Sequence, residues 1–231
     1  MSSSNNNGNA SGAPDGNTGD ARGELRWNEQ EWLSFLRRNH GDQLKYLSLH
    51  HRFRDNPERL DHCARRMGWD TGEWVPADDN ADIVPEASDE PPPPTAPYCI
   101  HNHPVFVVTR ALCGHLVRAW HFYCEKTGSG VSPTLAIAFG DAVRDTEHHM
   151  VMAVNGMDTR DWALGLAQMK LAHVSLNNAF SALDRLPDSL NPLREPFLNE
   201  ARLCLHDLRE LTLRVMNDCR FELAPPEDEA E

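Results

Sequence analysis

WALGLAQMKLAHVSLNNAFSAL, residues 162–183, repeats Trp162, Leu166, Met169, His173, Leu176, Phe180 and Leu183 in steps of four and three. That interval places one apolar stripe along a helix that packs against other helices, whereas a strand would alternate every second residue. Asp158 or Thr159 stands where a helix cap belongs, and Pro187 stops the pattern near Leu186. The same interval recurs after the stretch in Leu198, Ala201, Leu205, Leu208, Thr212, Val215 and Cys219. Before it run Leu135, Phe139, Ala142, Thr146, His149 and Ala153, and earlier still Val105, Val108, Leu112, His115 or Leu116, Ala119, and Phe122 or Tyr123.

The punctuation agrees with four helices. Pro104 opens the first, which ends before Thr127-Gly128-Ser129-Gly130; Ser132-Pro133 opens the second, and Asn155-Gly156 is placed to stop it near 154. The fourth starts at Asn191-Pro192 or at Pro196 and runs to about Glu222. Long helices joined by short connections imply antiparallel neighbours, so residues 98–222 are expected to form an antiparallel up-down four-helix bundle in an all-α protein. Gly114, Gly140 and Gly165 fall inside these helices at up to roughly 1 kcal/mol each relative to Ala, which close helix approach or tolerated drift would explain.

Residues 27–76 are expected to form a small three-helix module. Asn28 and Glu31 have capping-box spacing, Asp42 precedes Leu44, Leu47 and His51 at helical intervals, and Asn56-Pro57-Glu58 opens a third helix that Gly68 closes. Trp27, Trp32, Trp69 and Trp74 supply aromatic bulk that some 50 residues would otherwise lack. Residues 1–26 are Ser, Asn, Gly and Asp with almost no large apolar side chain, the composition of a disordered tail. Residues 77–97 are acidic and end in Pro91 to Pro94, as an extended spacer would, and residues 223–231 form an acidic tail.

The 231 residues carry a formal net charge of −13, but most of the excess acid lies in the spacer and the acidic tail. Residues 27–76 balance eight bases with eight acids, and residues 98–222 hold twelve bases and fourteen acids. Near-neutral folded parts argue against duplex nucleic acid as a partner. There is no apolar run of membrane-spanning length, and the opening MSSSNNNGNASG has no basic start followed by an apolar segment, so a cytoplasmic location with free thiols at Cys63, Cys99, Cys113, Cys124, Cys204 and Cys219 is expected.

No phosphate-binding loop, HExxH, GxSxG or CxxC occurs. The candidate site is a set of histidines on bundle faces: short loops would bring His115, Asp141 to Asp145, His173 and His206 to one height, where imidazole and carboxylate suit zinc or iron. Buried neutral histidines with one hydrogen-bond partner are the plainer alternative, since no Glu-x-x-His pair is present and Glu147, His148 and His149 point apart. Cys99, His101 and His103 could likewise bind a metal weakly or cap the following helix. His121 and Cys124 lie three apart, but their aromatic surroundings favour packing over a reactive thiolate. Arg37, Arg38, Lys45, Arg52, Arg54, Arg65 and Arg66 would touch phosphates if the small module were a helix-turn-helix; its zero net charge favours protein contact. The expectation is a non-catalytic interaction or scaffold protein that self-associates or binds a protein partner without a cofactor. A metal-binding bundle, with zinc or iron and an enzymatic role open to it, is the alternative, and nucleic-acid binding the third reading.

Overall fold

The computed structural model describes residues 27–69, 99–188 and 191–224. Among them every regular element is helical, and the fold is all-α. The helices are α1 (Glu29–Arg52), α2 (Arg59–Met67), α3 (Pro104–Thr127), α4 (Pro133–Asp158), α5 (Trp162–Asp184) and α6 (Arg194–Leu223). No described helix is long and apolar enough to cross a membrane. The tail 1–26, the spacer 77–97 and the last residues after 224 lie outside the described residues.

Residues 27–69 make two helices where three were expected. Asp42 does not start a new helix; α1 runs through Gly41 because its buried stripe, Phe35, Asn39, Tyr46, Leu49 and His50, keeps one helical period across it. The cost of an interior glycine, about 1 kcal/mol, is small beside that burial. The capping box is present at its start: Glu31 N–H donates to Asn28 Oδ1 at 3.0 Å, and Asn28 N–H donates to Glu31 Oε2 at 2.6 Å. Gly68 ends α2 in the left-handed region at φ 76°.

Side-chain contacts join α3, α4, α5 and α6. Arg110 meets Glu147 and Trp120 meets Ala136 between α3 and α4. His149 meets Gln168 from α4 to α5, Asp184 meets Arg202 from α5 to α6, and Tyr123 stacks on Phe197 between α3 and α6. Between α3 and α4 the residue numbers rise on one helix while they fall on the other. The fourth stripe matches its expectation residue for residue, from Leu198 to Cys219. On α5 the stripe is rotated: Gly165, Ala172, Ser175, Ala179 and Ala182 are buried with Met169, Leu176 and Leu183, while Trp162, Leu166, His173 and Phe180 lie at the edge. Small side chains let α4 and α5 approach closely, so they take the centre and the larger ones flank it. For the same reason α4 does not stop at Asn155-Gly156 but continues to Asp158, and Asp161, rather than Asp158 or Thr159, caps α5 by accepting from Leu164 N–H at 3.0 Å.

His103 starts α3, its Nδ1 accepting the Val105 N–H at 3.2 Å. Capping of this kind needs the neutral ring. Burial, outweighing the Asp158 carboxylate, holds the imidazole below its ordinary value of 6.5, and burial does the same to His101. The unfolded chain therefore takes up protons before the folded one as pH falls, so this stability is full above pH 6.5 and declines as pH drops through that value. Denaturant unfolding at about pH 7.5 and about pH 5.5 is expected to show the decline, and His103→Asn to keep the cap while removing part of it. His103→Ala is expected to lose about 1 kcal/mol at the higher pH.

Candidate functional site

Where α1 and α2 lie against α3 and α6, the interface buries charge as well as apolar surface. Asp207 on α6 is 4% exposed and His50 on α1 is 1% exposed. His50 Nε2–H donates to Asp207 Oδ2 at 2.6 Å, Arg59 Nε–H donates to the same oxygen at 2.6 Å, and Arg59 Nη2 donates to Oδ1. Three donors on one carboxylate repay much of its desolvation, and the neighbours close the site to water. Cys63, Cys204 and Tyr46 are buried beside it, and Trp69 stacks on Tyr46 with ring centroids 5.9 Å apart. The Tyr46 hydroxyl has no hydrogen-bond partner among the described residues. Burial pushes the Cys63 thiol up to about 12, with the Asp207 charge adding to it, and burial raises Tyr46 and Cys204 as well. These thiols are protonated at neutral pH and lack the character of reactive thiolates.

Two turns back along α6 the same interface opens to solvent. His115 from α3 faces Glu200 with Nε2 3.0 Å from Oε1, and Arg54 Nη2 stands 3.5 Å from Oε2. The hydrogen bond from His115 is the main reason the Glu200 carboxyl lies below its ordinary value, opposed by partial burial. Cys204 lies one turn beyond Glu200 on the same side of α6. One nitrogen of His115, one oxygen of Glu200 and the sulfur of Cys204 all lie within 4.8 Å of one another.

The histidine set expected from the sequence is not brought together; of its members only His115 belongs to a group of this kind among the described residues. Asp141 and Asp145 face outward, Asp141 bonding Arg144 at 3.2 Å. His206 is exposed and packs on Phe180 with ring centroids 4.9 Å apart, so the residue opposite it on α5 is Phe180 and not His173. His173 is half-buried, its Nδ1 enclosed without a partner among the described residues. Asp141 lies level with His115, as the pairs Arg110–Glu147 and Trp120–Ala136 require, but faces outward, whereas His206 is out of register with His173 by two turns of α5. Cys99 and His101 do meet, Sγ to Nδ1 at 2.8 Å, but His101 packs against Phe35 and Phe106 while His103 caps α3. Cys124 is raised by burial, in keeping with packing, and His121 is exposed. Sequence reasoning assigns no site role to Asp207 or Glu200 and takes Cys204 only as a free thiol, although the Glu200/Cys204 spacing of four is visible there.

Two surface grooves adjoin these elements. One, of about 490 Å³, is lined by Pro57, Arg59, His206, Asp207 and Arg214; the other, of about 510 Å³, by Trp120, His121, Cys124, Ile137 and Arg144. An all-helical protein with a polar seam between the pair α1 and α2 and the helices that follow is the class that fold and site define. Comparison with protein families, curated proteins and solved structures finds no match for this chain.

Proposed function

We propose that the protein is a non-catalytic interaction protein, and that the outward face of α5 is the surface through which it contacts a second copy of itself. The observation that carries this reading is the composition of α5. Between Trp162 and Leu183 it has a single charged side chain, Lys170, yet Leu164, Leu171 and Val174 are 38%, 48% and 55% exposed. They share one side with the exposed Ala163 and Ala167. Isolated surface leucines are ordinary, but Leu164, Leu171 and Val174 with the two alanines make a continuous apolar row on the N-terminal half of the helix, and such a row is normally covered. A second copy suits this face for two reasons. Two-fold pairing sets a surface against itself, and this face carries one charge, Lys170, whose long side chain reaches solvent at the rim; and residues 98–222 are close to neutral as a whole.

Leu171 and Val174 are exposed, so Leu171→Glu and Val174→Glu are expected to fold like the parent while bringing unpaired carboxylates into the contact. Sedimentation equilibrium of the parent is expected to show a concentration-dependent dimer, weakened in each variant by at least about 2 kcal/mol, roughly thirtyfold in Kd. A parent chain that stays monomeric at its highest soluble concentration overturns the reading, as does a dimer that both variants leave intact.

A further inference from the structure

We infer that His115, Glu200 and Cys204 form a three-ligand site for a divalent transition-metal ion of the zinc type, with a fourth position open to water. The residues come from two packed helices, α3 and α6, and Glu200 and Cys204 are spaced one turn apart on α6, as helix-borne ligand pairs commonly are. The three ligand atoms lie within 4.8 Å of one another, and His115 Nε2 and Glu200 Oε1 are at 3.0 Å. A tetrahedral ion with bonds of about 2.0–2.3 Å holds its ligand atoms roughly 3.3–3.8 Å apart, so small side-chain rotations on rigid helices bring the set into range.

The donor chemistry selects the ion. One imidazole nitrogen, one carboxylate oxygen and one sulfur suit zinc, cobalt or iron(II), while calcium and magnesium require oxygen alone. Binding expels the Cys204 thiol proton to solvent and forms a metal–thiolate bond, and His115 turns to the tautomer with its proton on Nδ1 so that Nε2 offers its lone pair to the ion in place of the hydrogen bond to Glu200, with no change of oxidation state. Because the thiol gives up its proton on binding, occupancy rises with pH. Arg54 stands beside Glu200 Oε2 and leaves Oε1, the oxygen that faces His115, available for the ion. The His115 side chain is 29% exposed and the Glu200 side chain 22%, which gives an ion and a water molecule a way in, whereas Cys204 is wholly enclosed. Catalytic zinc sites have this three-ligand form, and structural ones are closed by a fourth residue.

Cobalt(II) is the probe. Full-length protein free of any affinity tag is stripped with a chelator and titrated with Co²⁺, then with Zn²⁺ to displace it. The expected result is one ion per chain, a thiolate-to-cobalt charge-transfer band in the near ultraviolet, and loss of that band on adding Zn²⁺. Cys204→Ser is expected to abolish the band, and His115→Ala to weaken binding by more than the roughly 10–100-fold that outer-shell changes cost. Because Cys204 is buried, Glu200→Gln serves as the variant least prone to misfold; it is expected to keep the band and lower the affinity. Cys63→Ser, which changes the neighbouring thiol, is expected to leave the band in place. A parent protein with no charge-transfer band, or one whose band survives in folded Cys204→Ser, overturns the assignment.

Discussion

Asp207→Ala is expected to cost about 3–5 kcal/mol, the largest loss from any single polar substitution in the described residues. The carboxylate accepts from His50 and from two nitrogens of Arg59, and removing it leaves a histidine 1% exposed without its partner and a guanidinium, its side chain 14% exposed, with only the 3.4 Å bond from Nη1 to Asn56 O. The penalty is that of the stranded partners rather than the worth of the ion pair. It follows that replacing all three of His50, Arg59 and Asp207 by leucine or methionine is expected to cost less than Asp207→Ala alone. Equilibrium denaturation of the single, double and triple variants provides the coupling energies, and additive effects would refute the network. Asp207 also joins α6 to α1 and α2, so Asp207→Ala is expected to speed proteolytic cleavage in α1 and α2 more than in α4 and α5.

Three interior helical glycines are expected to respond with opposite signs to an added side chain. A Cβ on Gly156 would lie 3.0 Å from the backbone nitrogen of Gly165 and 3.3 Å from Asp161 O, atoms that cannot move without shifting α5 against α4. Gly156→Ala is therefore expected to destabilise by about 1–3 kcal/mol despite alanine's better helix propensity. Gly165→Val is expected to behave likewise, since a Cβ there would already stand 3.1 Å from Met157 Cγ and 3.5 Å from Cys219 Sγ. Gly140 has open space around the same position, so Gly140→Ala is expected to stabilise by up to about 1 kcal/mol. Thermal unfolding of the three variants side by side is the measurement. A stabilised Gly156→Ala would mean that α4 and α5 do not approach as closely as these distances require.

The glycines illustrate how far a single chain can be interpreted. Gly140 and Gly165 look alike in sequence, each an interior helical glycine, and only the neighbour across the gap separates them. The stripe on α6 was legible throughout, because seven positions from Leu198 to Cys219 keep one period and all are buried. On α5 the period was legible but its phase was not: Ala172, Ala179 and Ala182 are too small to stand out as a core, yet they are what admits α4. The stop expected at Asn155-Gly156 failed because Gly156 serves packing there instead of ending a helix. Of the histidine set, His115 alone kept a place near potential ligands, beside Glu200 and Cys204 rather than His173 and the two aspartates.

The helical class, the capping box at Asn28 and the placement of most helix ends depend on residues within a turn or two of each other, and the linear order of side chains specifies them directly. His50 finds Asp207 across 157 residues and His115 finds Glu200 across 85. Those meetings depend on how far each helix is rotated and how each connection offsets its neighbour. A third of a turn exchanges one face for another, so the polar seam and the ligand set exist only once the helices have packed.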